Sequence, residues 1–277
     1  MAKIRPTKEQ LQESYERLQS VRKVGVEFGF SGETIRAFMH EYGLAMLRSN
    51  AQVHTCNHEF FATDTEGSFY LAGLMAADGC VKKHSGKNPK INQFYLCLGE
   101  GDEELMLKVK NMLNATHTFH KVTTKNSERN PLWNDSRKLE LVITSERLCN
   151  DLKKFNVVPR KTHTYTFPEW LINHPMVNHF MRGYNDGDGS FYIQDKTKTV
   201  PQICFSLRGT PEFLRVYRSI LERECDIPVR EKDIRVNCGI GILEYGGNGV
   251  IGKIAKFLYR KATISLKRKQ FIVSEVL

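Results

Sequence analysis

One segment of this sequence occurs twice, and no other feature restricts the fold as much. FYLAGLMAADGCV at 69–81 and HFMRGYNDGDGSF at 179–191 share a run of small and apolar residues that ends in Asp-Gly. The copies lie about 110 residues apart, a spacing that suits two similar modules and not a solenoid. Each is followed by the same order of patterns. Alternating residues suggest a strand at 94–98 and again at 203–207; amphipathic helices follow at 103–113 and 211–223, strands at 139–144 and 239–245, and further helices at 146–155 and 250–259. The chain from 68 onward therefore reads as two α+β units in tandem.

Read as a helix, the repeated segment puts Gly73 and Ala77 in the first copy, and Gly183 and Gly187 in the second, four apart on one face. Small residues there let two helix backbones approach closely. Leu71, Leu74 and Met75 supply apolar surface for the sheets, and Gly79 and Gly189 are expected to end the helices in the left-handed conformation. Packing the two helices together brings Asp78 and Asp188 to one place. An isolated Asp-Gly usually just marks a helix end. A pair of aspartates at converging helix C-termini is different, because each faces the negative end of a helix dipole and repels the other. A divalent cation supplies the missing positive charge. Carboxylate oxygens around Mg²⁺, completed by water and a substrate phosphate, are the parts that phosphodiester hydrolysis needs.

Ahead of the repeat, residues 7–43 divide into three short helical patterns. Thr7 and Gln10 form a capping box before Leu11, Tyr15 and Leu18; Ser20 can cap a helix with Val21, Val24 and Phe28. After a turn at Gly29–Phe30, Ser31 can cap a third helix carrying Ile35, Phe38 and Met39, with Gly43 placed to end it. Helix, tight turn, helix is the DNA-binding arrangement, and a plain three-helix bundle is the alternative. Residues 44–67 show no sustained period and read as a linker with a short amphipathic piece at Phe60 and Phe61.

Composition narrows the partners. With 41 Lys plus Arg against 31 Asp plus Glu, the 277-residue chain carries a net charge of +10, which favours a polyanion such as nucleic acid. No stretch approaches the roughly 20 apolar residues of a membrane span, and Met1–Gln10 is polar, so a soluble, intracellular protein is expected. Seven cysteines without a C-x-x-C pair suggest neither a disulfide framework nor a zinc ribbon. His54, Cys56 and His58 sit too close together for the usual zinc pairings and have no partner pair downstream.

LAGLMAADG at 71–79 resembles the LAGLIDADG signature, and MRGYNDGDG at 181–189 resembles a more divergent copy with both glycines and the final Asp-Gly kept. The resemblance spans roughly 68–277 and implies an α+β fold. Two αββαββα LAGLIDADG modules (68–170 and 171–277) would form a pseudo-two-fold saddle over DNA, preceded by a linker (47–67) and a small all-α helix-turn-helix domain (1–46). SVRKVGVEFGFSGETIRAFM at 20–39 also resembles bacterial helix-turn-helix sequences. By the match, Asp78 and Asp188 bind the metal, with Ala77 and Gly187 assigned beside them. Ala76 and Asp186 fill the less restrictive acidic position. VVPRKTHTYTFP at 157–168 and ATISLKRKQF at 262–271 resemble the segments that close each module, which nominates Lys161 and Lys267 as basic active-site residues. The basic run from Lys256 to Lys269 reads as a phosphate-facing surface, or more simply as a solvated face.

Base readers are expected on the strands after each motif: Lys82, Lys83, Asn92, Gln93, Tyr95, Gln194, Lys196, Lys198, Gln202 and Arg208. On the third N-terminal helix, Thr34, Arg36 and His40 are the expected DNA contacts. Together these readings imply a Mg²⁺-dependent, sequence-specific double-strand DNA endonuclease acting as a monomer on a long asymmetric site, in a bacterial or phage setting. Two alternatives stay open: a non-cleaving helix-turn-helix/LAGLIDADG transcription regulator, and a maturase acting on intron RNA.

Overall fold

The computed structural model describes residues 4–18, 20–44, 54–83, 92–128, 130–132, 134–194 and 202–274. By packing, the chain divides into two units, Met1–His54 and Thr55–Leu277.

The first unit holds α1 (Lys8–Leu18), α2 (Val21–Phe28) and α3 (Gly32–Glu41) around Leu11, Tyr15, Val24, Ile35 and Met39. Its starts and stops follow the expected chemistry. Thr7 and Gln10 exchange capping bonds of 2.9 and 3.3 Å, Ser20 accepts from the Lys23 amide, and Ser31 accepts from the Thr34 amide. Gly29 closes α2 at a φ of 74°, which an L side chain rarely adopts. Gly25 is packed against the turn, where an added Cβ would lie 2.5 Å from the Phe30 carbonyl.

The second unit begins earlier than the linker assignment allowed. Phe60 and Phe61 are buried in its core, so residues 55–67 pack with it, and the expected 47–67 linker is too long at its C-terminal end. The aromatic pair was the signal for burial there. Two copies of helix, two strands, helix, two strands, helix follow. The first runs α4 (Glu66–Ala77), β1 (Gly79–Lys83), β2 (Asn92–Gly99), α5 (Glu103–Met112), β3 (His120–Thr124), β4 (Ser136–Thr144) and α6 (Glu146–Asp151). The second runs α7 (Val177–Asp188), β5 (Gly189–Ile193), β6 (Ile203–Gly209), α8 (Pro211–Glu224), β7 (Arg235–Asn237), β8 (Ile240–Gly246) and α9 (Asn248–Leu258), with α10 (Lys267–Val273) added. Each copy makes a four-stranded antiparallel sheet, in the orders β1-β2-β4-β3 and β5-β6-β8-β7. Strands β3 and β7 and helix α10 carry little periodicity and were not legible in the sequence.

The two copies meet through α4 and α7. From Ser68 to Ala76, α4 is buried on every side, and from Val177 to Asp186 so is α7. A Cβ on Gly73 would fall on the Phe180 carbonyl oxygen; one on Gly183 would fall on the Tyr70 carbonyl oxygen. The same contact thus occurs twice with the helices exchanged, the mark of a local two-fold. Gly79 and Gly189 depart from expectation. Gly189 is extended (φ −99°, ψ 173°), and Gly79 is not among the positive-φ glycines. They are small for a different reason: a Cβ would strike Met75 or Asn185 one turn back as the chain leaves the helix for β1 or β5. Among the described residues, no helix is long and apolar enough to cross a membrane.

Because each helix carries the other's carbonyl where a methyl would go, Gly73→Ala and Gly183→Ala should each destabilise the protein by roughly 1–3 kcal/mol. A thermal melt checks this. Melting temperatures equal to wild type would show that the helices do not cross there.

Candidate active site at the crossing helices

The close crossing sets the position of everything at the C-terminal ends of α4 and α7. A Cβ on Gly187 would land on the Cβ of Ala77 and lie 3.1 Å from Asp78 Oδ2, so Asp78 stands against the turn that leads into Asp188. Both aspartates open to solvent on one side while protein walls their carboxyls on the other. That shielding raises the Asp78 pKa to about 6, with the Asp188 charge adding to it and Lys269 and Lys161 opposing. Burial raises Asp188 as well, against the pull of Lys161, Lys269 and the Tyr184 hydroxyl.

Two buried lysines approach the pair. Lys161 sits on a short 3-10 turn, Lys161–His163, entered through Arg160 at a φ of 62°. Its Nζ donates to the Ala77 carbonyl at 3.4 Å. Lys269, on α10, donates to the carbonyls of Asn185 (3.0 Å), Asp186 (2.6 Å), Gly187 (3.1 Å) and Gly189 (2.6 Å). Burial lowers both pKa values, and both aspartates hold the ammonium charges in place.

The nominated Lys267 is not at the site. It points outward to Glu104, with Nζ 2.7 Å from Oε1, and Arg268 makes a two-pronged pair with Asp102 at 2.9 and 3.1 Å. The basic residue that the second module brings in is Lys269, two positions along. In a run of three consecutive cations, only the helical phase of α10 decides which one points inward, and the sequence gives no such phase.

Asp186 is also absent from the carboxylate pair. It is buried, and its Oδ2 accepts from the Tyr70 hydroxyl at 2.8 Å and the Leu266 amide at 2.7 Å. Tyr184 was not singled out from the sequence. It occupies the place of Leu74 in the other copy, and its hydroxyl donates to the Arg208 carbonyl at 3.2 Å. Beside Asp188 lies a cavity of about 180 Å³ lined in part by Lys161, His163, Tyr184 and Arg208.

As a cation site, the arrangement offers two carboxylates and little else. Among the described residues no three His, Cys, Asp or Glu side chains converge. The carbonyls of Ala77 and Gly187, assigned beside the metal, already accept from Lys161 and Lys269. Two shielded carboxylates that raise each other's energy still fit a hard divalent ion that keeps most of its water, as Mg²⁺ does.

The expected base readers scatter. Lys82, Gln93 and Tyr95 lie on the open face of the first sheet, where Lys82 Nζ sits 3.5 Å from the Tyr95 ring centre, Tyr95 bonds Glu140, and Gln93 bonds Thr144 at 3.1 Å. Asn92 is tied instead to Glu146 at the start of α6, and Lys83, its pairing partner across the strands, has the parity opposite to Lys82. Gln194, Gln202 and Arg208 share the open face of the second sheet, which Tyr192 and Arg235 extend. Lys196 and Lys198 lie outside the described residues. In the first unit Arg36 and His40 are exposed, while the Thr34 hydroxyl lies 2.8 Å from that of Ser31.

Known proteins resemble this chain in part of its sequence and in its fold. Residues 68–156 match the model of a LAGLIDADG-like domain. The homing endonuclease I-WcaI, solved bound to its DNA recognition sequence, superposes with a TM-score of 0.52 at 12% identity over 78% of this chain and 90% of that one. The meganuclease I-CpaMI bound to uncleaved DNA gives 0.47 at 15% identity, over 77% and 96% of the two chains. No curated protein matches the sequence.

A carboxyl with a raised pKa favours the folded state only while it is protonated, so the Asp78 contribution is complete below about pH 4 and is lost as the pH rises through about 6. Asp78→Asn should therefore raise the melting temperature of the metal-free protein at pH 8, with the gain vanishing by pH 4. A gain of the same size at both pH values would mean the carboxyl is not shifted.

Proposed function

We propose, from the premise that residues 68–156 form a LAGLIDADG-like domain within a two-module fold shared with a homing endonuclease, that the chain is a divalent-metal-dependent, sequence-specific DNA endonuclease. The observation that carries this reading is the pair of shielded carboxylates, Asp78 and Asp188, at the meeting ends of two helices, flanked by Lys161 and Lys269. A dimetal or single Mg²⁺ centre held by Asp78 and Asp188 would supply a Lewis acid for the phosphate and a more acidic water.

The chain's own residues divide the rest of the work. Among the described residues Lys161 donates one hydrogen bond, to the Ala77 carbonyl, so its ammonium can turn to a phosphate oxygen and offset charge that develops there. Lys269 is fixed on four carbonyls and acts as a standing positive charge. The cavity beside Asp188, with Arg208 and His163 on its wall, would take a backbone phosphate next to the carboxylate. Open sheet faces on both copies present side chains at the period that suits a major groove. The net charge of +10 supplies the sequence-independent attraction. In the first unit, α3 follows α2 through a tight turn, and Arg36 and His40 on its exposed side are candidate contacts to a flank of the target.

A non-cleaving regulator has no need of both aspartates, which is why the enzyme reading is preferred. The test is incubation of the full chain with a randomised duplex library in Mg²⁺ and sequencing of the cut ends. Discrete double-strand cuts are expected. Asp78→Asn and Asp188→Asn should each abolish them while leaving affinity for the same duplex within a few-fold, since removing one carboxylate takes away metal and not DNA contacts. Tight binding without cutting by wild type would favour the regulator, and substantial cutting by either variant would remove the two-aspartate centre.

The N-terminal unit should act as a tethered second contact. Deleting residues 1–54 is expected to weaken binding on a long native site and to leave the cut position and the saturated rate unchanged. Unaltered affinity would assign that unit another task.

A further inference from the structure

Asp186 is a carboxylate that the proposed chemistry does not use. It is 2% exposed, and Oδ1 has no hydrogen-bond partner among the described residues. Burying a carboxyl only half satisfied is costly. The motif helix does not demand it, since Ala76 fills the same place in the first copy.

What Asp186 holds is the main chain of the segment that follows α9. Its Oδ2 accepts from the amide of Leu266, the residue before α10, and from Tyr70 on α4. Three further clamps fix the same strap. Glu66 accepts from the Thr263 amide at 2.7 Å and the Ile264 amide at 3.2 Å; Arg182, fully buried, donates to the Ile264 and Leu258 carbonyls at 2.9 Å each and pairs with Glu66 at 2.6 Å. Arg268 grips Asp102. The strap leads into Lys269, whose Nζ returns to the carbonyl of Asp186 itself. Asp186 thus holds the strap by its side chain and the lysine by its backbone. In the first copy, where alanine replaces it, Lys161 has one carbonyl contact at 3.4 Å.

We propose that Asp186 is a positioning residue: it fixes the strap from Thr263 to Arg268 so that the Lys269 ammonium stands at the C-terminal end of α7 beside Asp78 and Asp188, and it acts on cleavage only through Lys269. This rests on the endonuclease reading for its effect on rate, but its structural part does not.

Two measurements on the full chain separate the two. The first is acylation of lysines by acetic anhydride, read by mass spectrometry. Lys269 should be protected in wild type and become roughly tenfold more reactive in Asp186→Ala, while Asp186→Asn, which keeps an acceptor oxygen, stays near wild type. Equal Lys269 reactivity in wild type and Asp186→Ala overturns the proposal, whether or not the protein cuts DNA. The second is single-turnover cleavage at saturating enzyme. Asp186→Ala should slow it by roughly ten- to a hundredfold with affinity unchanged, and the double variant with Lys269→Ala should be no slower than Lys269→Ala alone. Losses that multiply in the double variant would show a route other than Lys269 and overturn it. If Asp186→Ala does not fold, Leu266→Pro removes the gripped N–H at a φ of −79° that suits proline, with Leu266→Ala, which trims the buried side chain and keeps the N–H, as its control. The same cycle with Lys269→Ala then decides. Failure of the wild-type chain to cut any duplex in Mg²⁺ would sink the endonuclease reading and leave the acylation result standing.

Discussion

The rest of the larger unit depends on the distance between α4 and α7. Backbone against backbone, with a carbonyl of each helix where the other's glycine lacks a Cβ, is an approach that no larger side chain permits. Two consequences follow from that one contact. Both sheets find a shared core on either side of the helix pair, so two copies that could each bury only one face become a single packed body. And the helix ends, which would otherwise diverge, bring Ala77 and Gly187 together and set Asp78 beside the entry to Asp188.

Bringing two carboxylates to the negative ends of two helices is unfavourable in itself, and the structure answers with buried ammonium groups and not with a third acid. Among the described residues, neither lysine forms an ion pair with Asp78 or Asp188. Lys161 and Lys269 instead take the carbonyls at the helix ends, where the dipole charge is concentrated, and reach the carboxylates through space. This leaves the aspartate oxygens open to a cation, which a direct salt bridge would have blocked. The same choice explains why the carbonyls of Ala77 and Gly187 are poor candidates for a metal shell.

Legibility in the sequence followed the strength of local signals. The N-terminal helices could be placed to within a residue or two because Thr7, Ser20, Ser31, Gly29 and Gly43 each act on the backbone within one turn. The duplicated motif showed the helix pair and its aspartates because glycine at both crossing points has one physical use. By contrast, β3 and β7 are short edge strands with every residue at least partly exposed, so no alternation marks them. Gly79 and Gly189 were assigned the usual role of helix-ending glycines, whereas contact with Met75 and Asn185 is what excludes a side chain. The choice of Lys269 over Lys267 is the helical phase of α10, which the contacts of Arg268 with Asp102 and of Lys267 with Glu104, some 160 residues earlier in the chain, hold in place, and no local pattern encodes such distant partners.

A single chain with two copies can let them differ, and this one does so at the points that matter for chemistry. Tyr184 stands where the first copy has Leu74, Asp186 where it has Ala76, and Asn185 where it has Met75. The polar residues all fall in the second copy and all lie within one turn of Asp188. Tyr184 binds Arg208 and Asp186 binds the strap before α10, so the second helix end is built into its surroundings by hydrogen bonds. The first is held by apolar packing through Leu74 and Met75. A symmetric dimer could not divide the tasks in this way, because any polar residue added beside one carboxylate would appear beside both. The pseudo-symmetry therefore holds at the glycine crossing, where no larger side chain fits, and gives way towards the helix ends, where the two aspartates sit in different surroundings.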